Sequence, residues 1–433
     1  MRLNRSASLA KPEPSSCSFS SEGFGAYLQA IMVSRLGSQL SYTALTLWVA
    51  YQFDSGAAAG WLTALPLMAG WVTAVLAGPY IDRYPPKLLM ITADLANVFA
   101  TLLMAVLLQV SAESNWVLGG VLMLRMLSAA ATAVFEPAGQ VLLPQMVAPA
   151  ELMRANSRVA ASRSCSHLIG ESFGGILFQW MNVSGLFVLD SVSYVVSAAL
   201  LGRVRERRFG PVERPGFAPS TVRPYSFRQE FKMGLLYIQQ EKGLRETLIA
   251  SLSLNFLLQP IGLVLAFFIK KQLRLGAEWY GFLLGLFTLS HLFSSYLSSR
   301  WIDTFRSRAQ GGAGFFSFHI FGLGLSQLLL FASSNVALTA IALILMGLAQ
   351  GPVNVMILTA IQSQTPPALQ GRVHSLLMAL FGISAPLGAL VAGHILDLLQ
   401  VQVHLWFLGA FLVCMGVCAY GMRTHHLGKY LFP

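Results

Sequence analysis

The chain has 433 residues, of which 55% are hydrophobic and only 11% are charged, and its mean hydropathy is +0.62. Soluble proteins carry about a quarter charged residues, so this composition excludes an ordinary soluble domain and predicts an all-α integral membrane protein. The net charge of +11 would suit nucleic-acid binding, but the positions of the basic residues argue against it. The four cysteines (Cys17, Cys165, Cys414 and Cys418) have no disulfide or metal-site spacing.

Residues 1–23 are rich in Ser, Pro, Lys and Arg and lack the apolar core of a signal peptide, which predicts a flexible cytoplasmic tail. Crossing a bilayer takes about 20 apolar residues, and twelve such stretches follow. In chain order they cover about 25–51, 58–81, 88–110, 116–135, 156–180, 184–203, 246–269, 278–299, 313–333, 336–357, 373–396 and 403–422. The predicted organisation is therefore a six-helix half (24–203), a basic cytoplasmic linker (204–245), a second six-helix half (246–423) and a short cytoplasmic tail (424–433).

The distribution of Lys and Arg predicts the orientation. An even number of spans places both termini on one side, and only Lys270, Lys271 and Arg274 fall in loops on the opposite side. Because basic loops stay in the cytoplasm, both termini are predicted to be cytoplasmic, in a multi-pass protein of the cell inner membrane. The positive charge is thus a topology signal, and nucleic acid is not an expected partner.

The two halves resemble each other in sequence. PAELMRANS (149–157) precedes the fifth stretch and PALQGRVHS (367–375) precedes the eleventh, with Pro, Ala, Arg and Ser at matching positions. GPYIDRYPPK (78–87) follows the second stretch, and SRWIDTFRSR (299–308) follows the eighth and repeats its Ile-Asp pair. Parallel repeats of this kind are typical of transporters whose substrate cavity lies between the halves.

These motifs resemble the major facilitator superfamily. Gly78-x-x-x-Asp82-Arg83, closing on Lys87, is similar to its signature loop between spans two and three, with Pro85 and Pro86 in place of the usual glycine and arginine. FEPAGQVLLPQMVAPAELMRANS and QTPPALQGRVHS resemble the branch that contains the enterobactin exporter and macrolide efflux pumps. The resemblance implies two pseudo-symmetric six-helix halves, alternating access and siderophores or amphipathic drugs as substrates.

Four charged residues lie well inside predicted spans: Arg35, Arg125, Glu171 and Asp190. Buried membrane charges normally face protein or a watery cavity, so we expect Glu171 or Asp190 to pair with Arg125. Either a static ion pair or a site of proton coupling or substrate binding would fit. Gly170-Glu171-x-x-Gly174-Gly175 resembles a Gly-Pro-x-x-Gly-Gly segment of the superfamily's proton antiporters, with glutamate replacing proline.

A cytoplasmic gate is the role that the resemblance implies for the signature loop. Asp82 is expected near Arg372, and Arg83 or Lys87 is expected to reach Glu136 at the end of span four. The predicted gate residues are Gly78, Asp82, Arg83, Lys87, Glu136, Asp303 and Arg372. Solvated topology charges are the alternative interpretation.

Polar side chains at helical spacing predict the cavity wall. Gln39 and Tyr42 are three residues apart, and Asn255 and Gln259 are four apart beside Pro260, which predicts a kink. The predicted cavity residues are Gln39, Tyr42, Asn97, Asn255, Gln259 and His291. Interhelical hydrogen bonding, or for His291 a satisfied core position, is the alternative.

The chain has no Walker loop, no zinc-protease helix and no nucleophile elbow, so neither an enzyme nor a cofactor or metal is predicted. The favoured function is therefore export of a small organic molecule by a monomeric, lipid-embedded secondary transporter, with a proton as the coupling ion. An importer of the same fold is the first alternative, and a non-transporting receptor or scaffold is the second.

Overall fold

The computed structural model describes residues 21–81, 83–110, 114–148, 151–204, 235–306, 311–399, 402–423 and 430. Within these ranges the elements are helices. In chain order they are α1 (Ser21–Trp48), α2 (Gly56–Ile81), α3 (Pro86–Val110), α4 (Asn115–Met146), α5 (Leu152–Arg203), α6 (Lys242–Leu258), α7 (Ile261–Phe268), α8 (Ala277–Arg306), α9 (Gly311–Ala332), α10 (Val336–Gln364), α11 (Pro367–Leu399) and α12 (Leu405–Arg423). Short π-helical turns extend α1 over Val49–Phe53 and α7 over Ile269–Leu273.

Ten helices of the described chain are long and apolar enough to cross a membrane, which confirms a multi-pass membrane protein. Helix α5 has 52 residues and, at 1.5 Å per residue, about twice the length that one crossing of a roughly 30 Å hydrocarbon layer needs. It breaks at Asn182, whose φ of 57° is left-handed. Both arms pack on α1, because Gly170 lies against Gln39 and Gly37 lies against Ser193, so the chain reverses at the break.

Several predicted helix ends are displaced. Helix α4 continues to Met146 through Pro137 and Pro144, although its apolar stretch was predicted to end at 135. Proline removes only local hydrogen bonds, and packing of the buried Leu142, Leu143 and Met146 keeps the helix intact. In contrast, Pro260 does interrupt its span, as predicted, and separates α6 from α7.

Two regions of the chain are referred to below. The N-terminal segment comprises residues 21–204 and the C-terminal segment comprises residues 235–423. The face that carries Lys87 and Val204 is the predicted cytoplasmic face, and the face that carries Asp54 and Lys270 is the predicted external face.

Candidate functional site

A cavity of about 690 Å³ lies between the N-terminal and C-terminal segments. Helices α1 to α5 supply one wall and α6 to α8 with α10 supply the other. The predicted site residues on its wall are Arg35, Gln39, Tyr42, Asn97, Arg125, Glu136, Glu171 and Gln259. The structure therefore brings seven of the ten residues predicted as buried charges or cavity wall to one space, together with Glu136 of the predicted gate.

A second cavity of about 270 Å³ adjoins the first within the C-terminal segment, and Leu258, Gln259 and Gln350 line both. Asn255 lies on its wall, together with Asn354. His291 is not among the residues that line either cavity; its Nε2 atom lies 3.3 Å from Asn354 Nδ2. Asn255 and Gln259 therefore both line the smaller cavity, and Gln259 also lines the larger one. His291 contacts the wall residue Asn354 without lining either cavity.

Glu136 lies at the centre of a charge cluster. Its Oε1 atom pairs with Arg35, and its Oε2 atom lies 2.5 Å from a guanidinium nitrogen of Arg163. The prediction that Arg83 or Lys87 reaches Glu136 is therefore wrong. Because α4 continues past the predicted end of span four, Glu136 lies inside the helix and on the cavity wall.

Glu171 joins three helices. Its Oε1 atom lies 3.3 Å from His167 Nδ1, one turn earlier on α5, and 3.5 Å from Gln39 Nε2 on α1. Its Oε2 atom accepts a hydrogen bond of 2.5 Å from Thr288 on α8. This carboxylate therefore connects the N-terminal segment to the C-terminal segment at the edge of the cavity.

The prediction that Glu171 or Asp190 pairs with Arg125 is wrong. Among the residues that the structure describes, no carboxylate lies within 4 Å of the Arg125 guanidinium, which instead lies over the Tyr42 ring at 6.0 Å from its centroid. The Glu171 carboxylate contacts His167, Gln39 and Thr288 instead. Asp190 is buried behind the wall, where it accepts hydrogen bonds from Ser41 (2.6 Å) and Ser193 (3.3 Å).

The predicted gate residues are only partly described. Asp82 lies outside the described residues. Gly78, Asp303 and Arg372 fall in α2, α8 and α11, but the surroundings of Gly78 and the side chains of the other two are outside what the structure describes. Arg83 is exposed in the turn after α2. Lys87 donates from Nζ to the carbonyl oxygens of Gly202 (2.9 Å) and Val204 (2.7 Å), so it caps the end of α5, where the helix dipole favours a cation.

Glycines form the contact between α5 and α8. A Cβ atom placed on Gly281 would lie 2.6 Å from the carbonyl oxygen of Ser172 and 2.8 Å from that of Glu171, and one on Gly175 would collide with the backbone at Ala277. Only residues without a side chain allow this approach. The glycines around Glu171 therefore bring its helix against α8, and the carboxylate lies beside that contact.

An ion-pair cluster joins the two segments at the predicted external face. Asp54 Oδ1 lies 2.8 Å from Lys270 Nζ and 3.3 Å from Lys271 Nζ, and Lys270 also donates to the carbonyl oxygen of Ala50. Burial raises the pKa of the Asp54 carboxyl, but the hydrogen bond and charge of Lys270 and the charge of Lys271 outweigh it and leave the pKa below its ordinary value.

At neutral pH we expect Asp54→Asn to lower the closed-to-open ratio of the external face by less than about fivefold. The effect is small because exposed ion pairs contribute little free energy to the closed state. A lowered pKa in the closed state means that this contribution is present above the ordinary carboxyl pKa and is lost as pH falls through the lowered value. Distances between spin labels on the exposed Trp116 and Gln402 positions measure the ratio. Equal wild-type and Asp54→Asn distributions at neutral pH would contradict this role.

Asp397, near the end of α11, caps a helix of the other segment. Its carboxylate accepts hydrogen bonds from the backbone nitrogens of Gly56 (2.5 Å) and Ala57 (2.9 Å) at the start of α2. The first turn of a helix has unsatisfied N–H groups, so an acidic side chain there is stabilising. In this protein the cap also holds the N-terminal segment to the C-terminal segment.

Asp397→Ala is expected to lower the closed-to-open ratio of the external face by about 2- to 30-fold, which corresponds to the free energy lost with a helix cap. The same two spin labels measure this ratio. Asn335→Ala is the matched control, because Asn335 caps α10 within its own segment by accepting from Leu338 N at 2.9 Å. That variant is expected to lower thermal stability and leave the label distances unchanged. Equal shifts in both variants would show that the Asp397 cap has no role between segments.

Sequence reasoning missed several of these residues. The pairing of His167 with Glu171 could have been predicted from the sequence, because residues four apart on a helix are neighbours. Thr288, Gln350 and Asp397 have no such signal, because their partners are distant in sequence.

The sequence profile described as Major Facilitator Superfamily matches residues 28–319 and 261–429, which together span nearly the whole chain. The chain belongs to the Major Facilitator Superfamily. It is 25% identical over 380 residues to an uncharacterized MFS-type transporter, y4rN, of Sinorhizobium fredii, covering 86% of this chain and 88% of that protein. It is 21% identical over 351 residues to Macrolide efflux protein A of Streptococcus pyogenes, covering 78% and 81%.

Solved structures show the superfamily fold. A bacterial homologue of the iron transporter ferroportin in an inward-facing state aligns with a TM-score of 0.72 and 17% identity, covering 93% of this chain and 98% of that one. A bacterial homolog of the human lysosomal transporter Spinster, inward-facing and unoccupied, aligns with a TM-score of 0.71 and 12% identity, covering 96% and 97%. The resemblance to the superfamily is thereby confirmed, and the protein is a membrane transporter of this superfamily.

Proposed function

We propose that this superfamily member is a proton-coupled exporter of a small amphipathic organic molecule, of the drug or siderophore class, at the cell inner membrane. The proposed architecture is twelve spans in two six-helix halves with cytoplasmic termini. It adds two crossings to the ten candidate helices, since α5 is long enough for two and α1 provides one more.

The observation that carries the proposal is the cavity of about 690 Å³ between the segments, with charged side chains on its wall. Contacts between the segments at the predicted external face (Asp54 with Lys270, and Asp397 with the start of α2) favour a state loaded from the cytoplasm. Rocking of the halves about this cavity would expose it to the other side. The similarity to a macrolide efflux protein supports outward transport.

Glu171 supports coupling to protons. The carboxylate lines the cavity and also bonds to Thr288 across the contact that has to change during rocking. A change in its protonation would therefore act on substrate and conformation together. With no nucleotide-binding motif in the sequence, an ion gradient is the energy source that we propose.

Transport into everted membrane vesicles tests the proposal. With an acid-inside pH gradient, we expect accumulation of erythromycin or of the fluorescent amphipath dansylglycine, and loss of that accumulation when nigericin collapses the gradient. Vesicles without the protein are the control. Accumulation only in right-side-out vesicles would show import, and accumulation that survives nigericin, or no accumulation of either probe, would contradict the proposed function.

A further inference from the structure

Two of the three described carboxylates on the cavity wall, Glu136 and Glu171, already have partners, and the third, Asp94, has no hydrogen-bond partner but is only 1% exposed. Both oxygens of Glu136 are occupied, one by Arg35 and the other by Arg163. Both oxygens of Glu171 are occupied as well, by His167 and by Thr288. A cationic substrate would have to displace one of these partners, or reach the buried Asp94, to find a counter-charge.

Arg125 is in the opposite situation. Its guanidinium has no carboxylate within 4 Å in the part of the chain that the structure describes, and its buried Nε atom has no hydrogen-bond partner there. The Tyr42 ring lies beneath it, and such stacking fixes the plane of a guanidinium while leaving its N–H groups free. The Arg125 side chain is half-buried on the cavity wall, and an anionic ligand there would supply the counter-charge that it lacks.

The basic side chains of this region are more exposed than the acidic ones. The side chains of Arg35, Arg163 and His167 are 32%, 37% and 57% exposed, whereas those of Glu136 and Glu171 are 23% and 9% exposed. The two further acids of this region, Asp94 and Asp190, are each 1% exposed. Arg163 lies beside this wall and not on it, but on the wall itself the carboxylates are more buried than Arg35, and the half-buried Arg125 adds a second cation.

The other wall of the cavity is neutral. None of the described residues that the C-terminal segment contributes to the 690 Å³ cavity is charged, and Gln259 and Gln350 are its amides. Gln350 Oε1 and, in the adjoining cavity, Asn255 Oδ1 are buried with no hydrogen-bond partner. These oxygens suit hydroxyl or N–H donors on an uncharged part of a ligand.

We infer that the substrate is an organic anion, whose carboxylate or similar acidic group binds Arg125 while its uncharged polar part bonds to the amide wall of Asn255, Gln259 and Gln350. This inference deepens the proposed function and rests on it for the role of the cavity. Within the proposed drug or siderophore class it favours molecules with an acidic group over amine-bearing ones such as erythromycin, because Glu136 and Glu171 have partners and Asp94 is buried.

Three fluorescent amphipaths that share one ring system test the inference. Dansylglycine carries a carboxylate, dansylglycinamide is neutral and dansyl ethylenediamine carries an amine. Binding to the purified protein in nanodiscs, read from dansyl fluorescence, is expected to favour dansylglycine over the other two by at least about tenfold, the effect of one charge-assisted hydrogen bond. Tighter or equal binding of either other probe, or binding of none, would overturn the inference.

The location of the site is tested by substitution. Arg125→Gln should weaken dansylglycine binding by about tenfold or more and leave dansylglycinamide within about twofold, so the neutral probe reports that the cavity is intact. Arg125→Lys should retain part of the preference because it keeps the charge. Arg245→Gln makes the same chemical change on an exposed residue outside the cavity and should change nothing. A preference that survives Arg125→Gln would contradict the assignment to Arg125.

The two proposals fail differently. If dansylglycine binds through Arg125 but no probe accumulates in everted vesicles, proton-driven export is wrong and the anion site remains. If erythromycin accumulates and dansyl ethylenediamine binds more tightly than dansylglycine, export stands and the anion site is wrong. When Arg125→Gln gives no folded protein, the order of the three affinities in the wild type and in Arg125→Lys decides.

Discussion

Glu171→Gln is expected to reduce gradient-driven accumulation to background while downhill release of a preloaded substrate persists. The amide preserves the shape of the side chain and can still accept from Thr288, but it cannot take up or release a proton. Because the carboxylate contacts α1, α5 and α8 together, loss of its titration should uncouple proton movement from rocking and spare the cavity itself. Accumulation and counterflow in proteoliposomes, measured on the same preparation, separate the two activities.

Two controls define this expectation. Glu151→Gln removes a carboxylate near the start of α5, away from the cavity, and should leave accumulation at the wild-type level. Asp190→Asn tests the buried acid behind the wall, which is fully engaged by serine hydroxyls and is expected to have the smaller effect. If Glu171→Gln and Asp190→Asn both accumulate substrate as the wild type does, neither residue couples transport to protons.

Gly281→Ala should have the second large effect. The added Cβ would lie 2.6 Å from one backbone oxygen of α5 and 2.8 Å from another, so α8 has to move away. Overpacking of this kind costs about 1–3 kcal/mol, and here the cost falls on the state in which the external face is closed. The distance between labels at Trp116 and Gln402 should increase, and turnover should fall by about 5- to 150-fold if the closed state limits the cycle.

Gly409→Ala is the matched control, since a Cβ at Gly409 in α12 would meet nothing within 4 Å. It should leave the label distances and the turnover unchanged. Identical behaviour of Gly281→Ala and Gly409→Ala would mean that the α5–α8 contact does not set the conformational equilibrium. The two variants make the same chemical change, so helix propensity cannot account for a difference between them.

The sequence was sufficient for the helical membrane fold because long apolar stretches are a local signal. It also indicated part of the cavity wall, since residues three or four apart, such as Gln39 and Tyr42, share a helix face. The glycines around Glu171 are visible in the sequence as a motif, and the structure places Gly170 and Gly174 against α1 and Gly175 against α8.

The ion-pair partners could not be predicted in the same way. Glu136, Arg35 and Arg163 meet from three helices, and their contact depends on the relative depth of those helices. That depth was misjudged for α4, because its apolar stretch was predicted to end at about 135, whereas tertiary packing continues the helix to Met146. The unpaired state of Arg125 depends on the same arrangement, so only the folded chain shows it.

Reversible cross-linking of the external face is the most direct test of alternating access through this cavity. In a chain whose four native cysteines are replaced by serine, Asp54→Cys and Lys270→Cys place thiols at positions whose side chains now meet at 2.8 Å. A bifunctional methanethiosulfonate should stop accumulation in everted vesicles, and dithiothreitol should restore it. Continued accumulation at the full rate with the two segments linked would contradict the account.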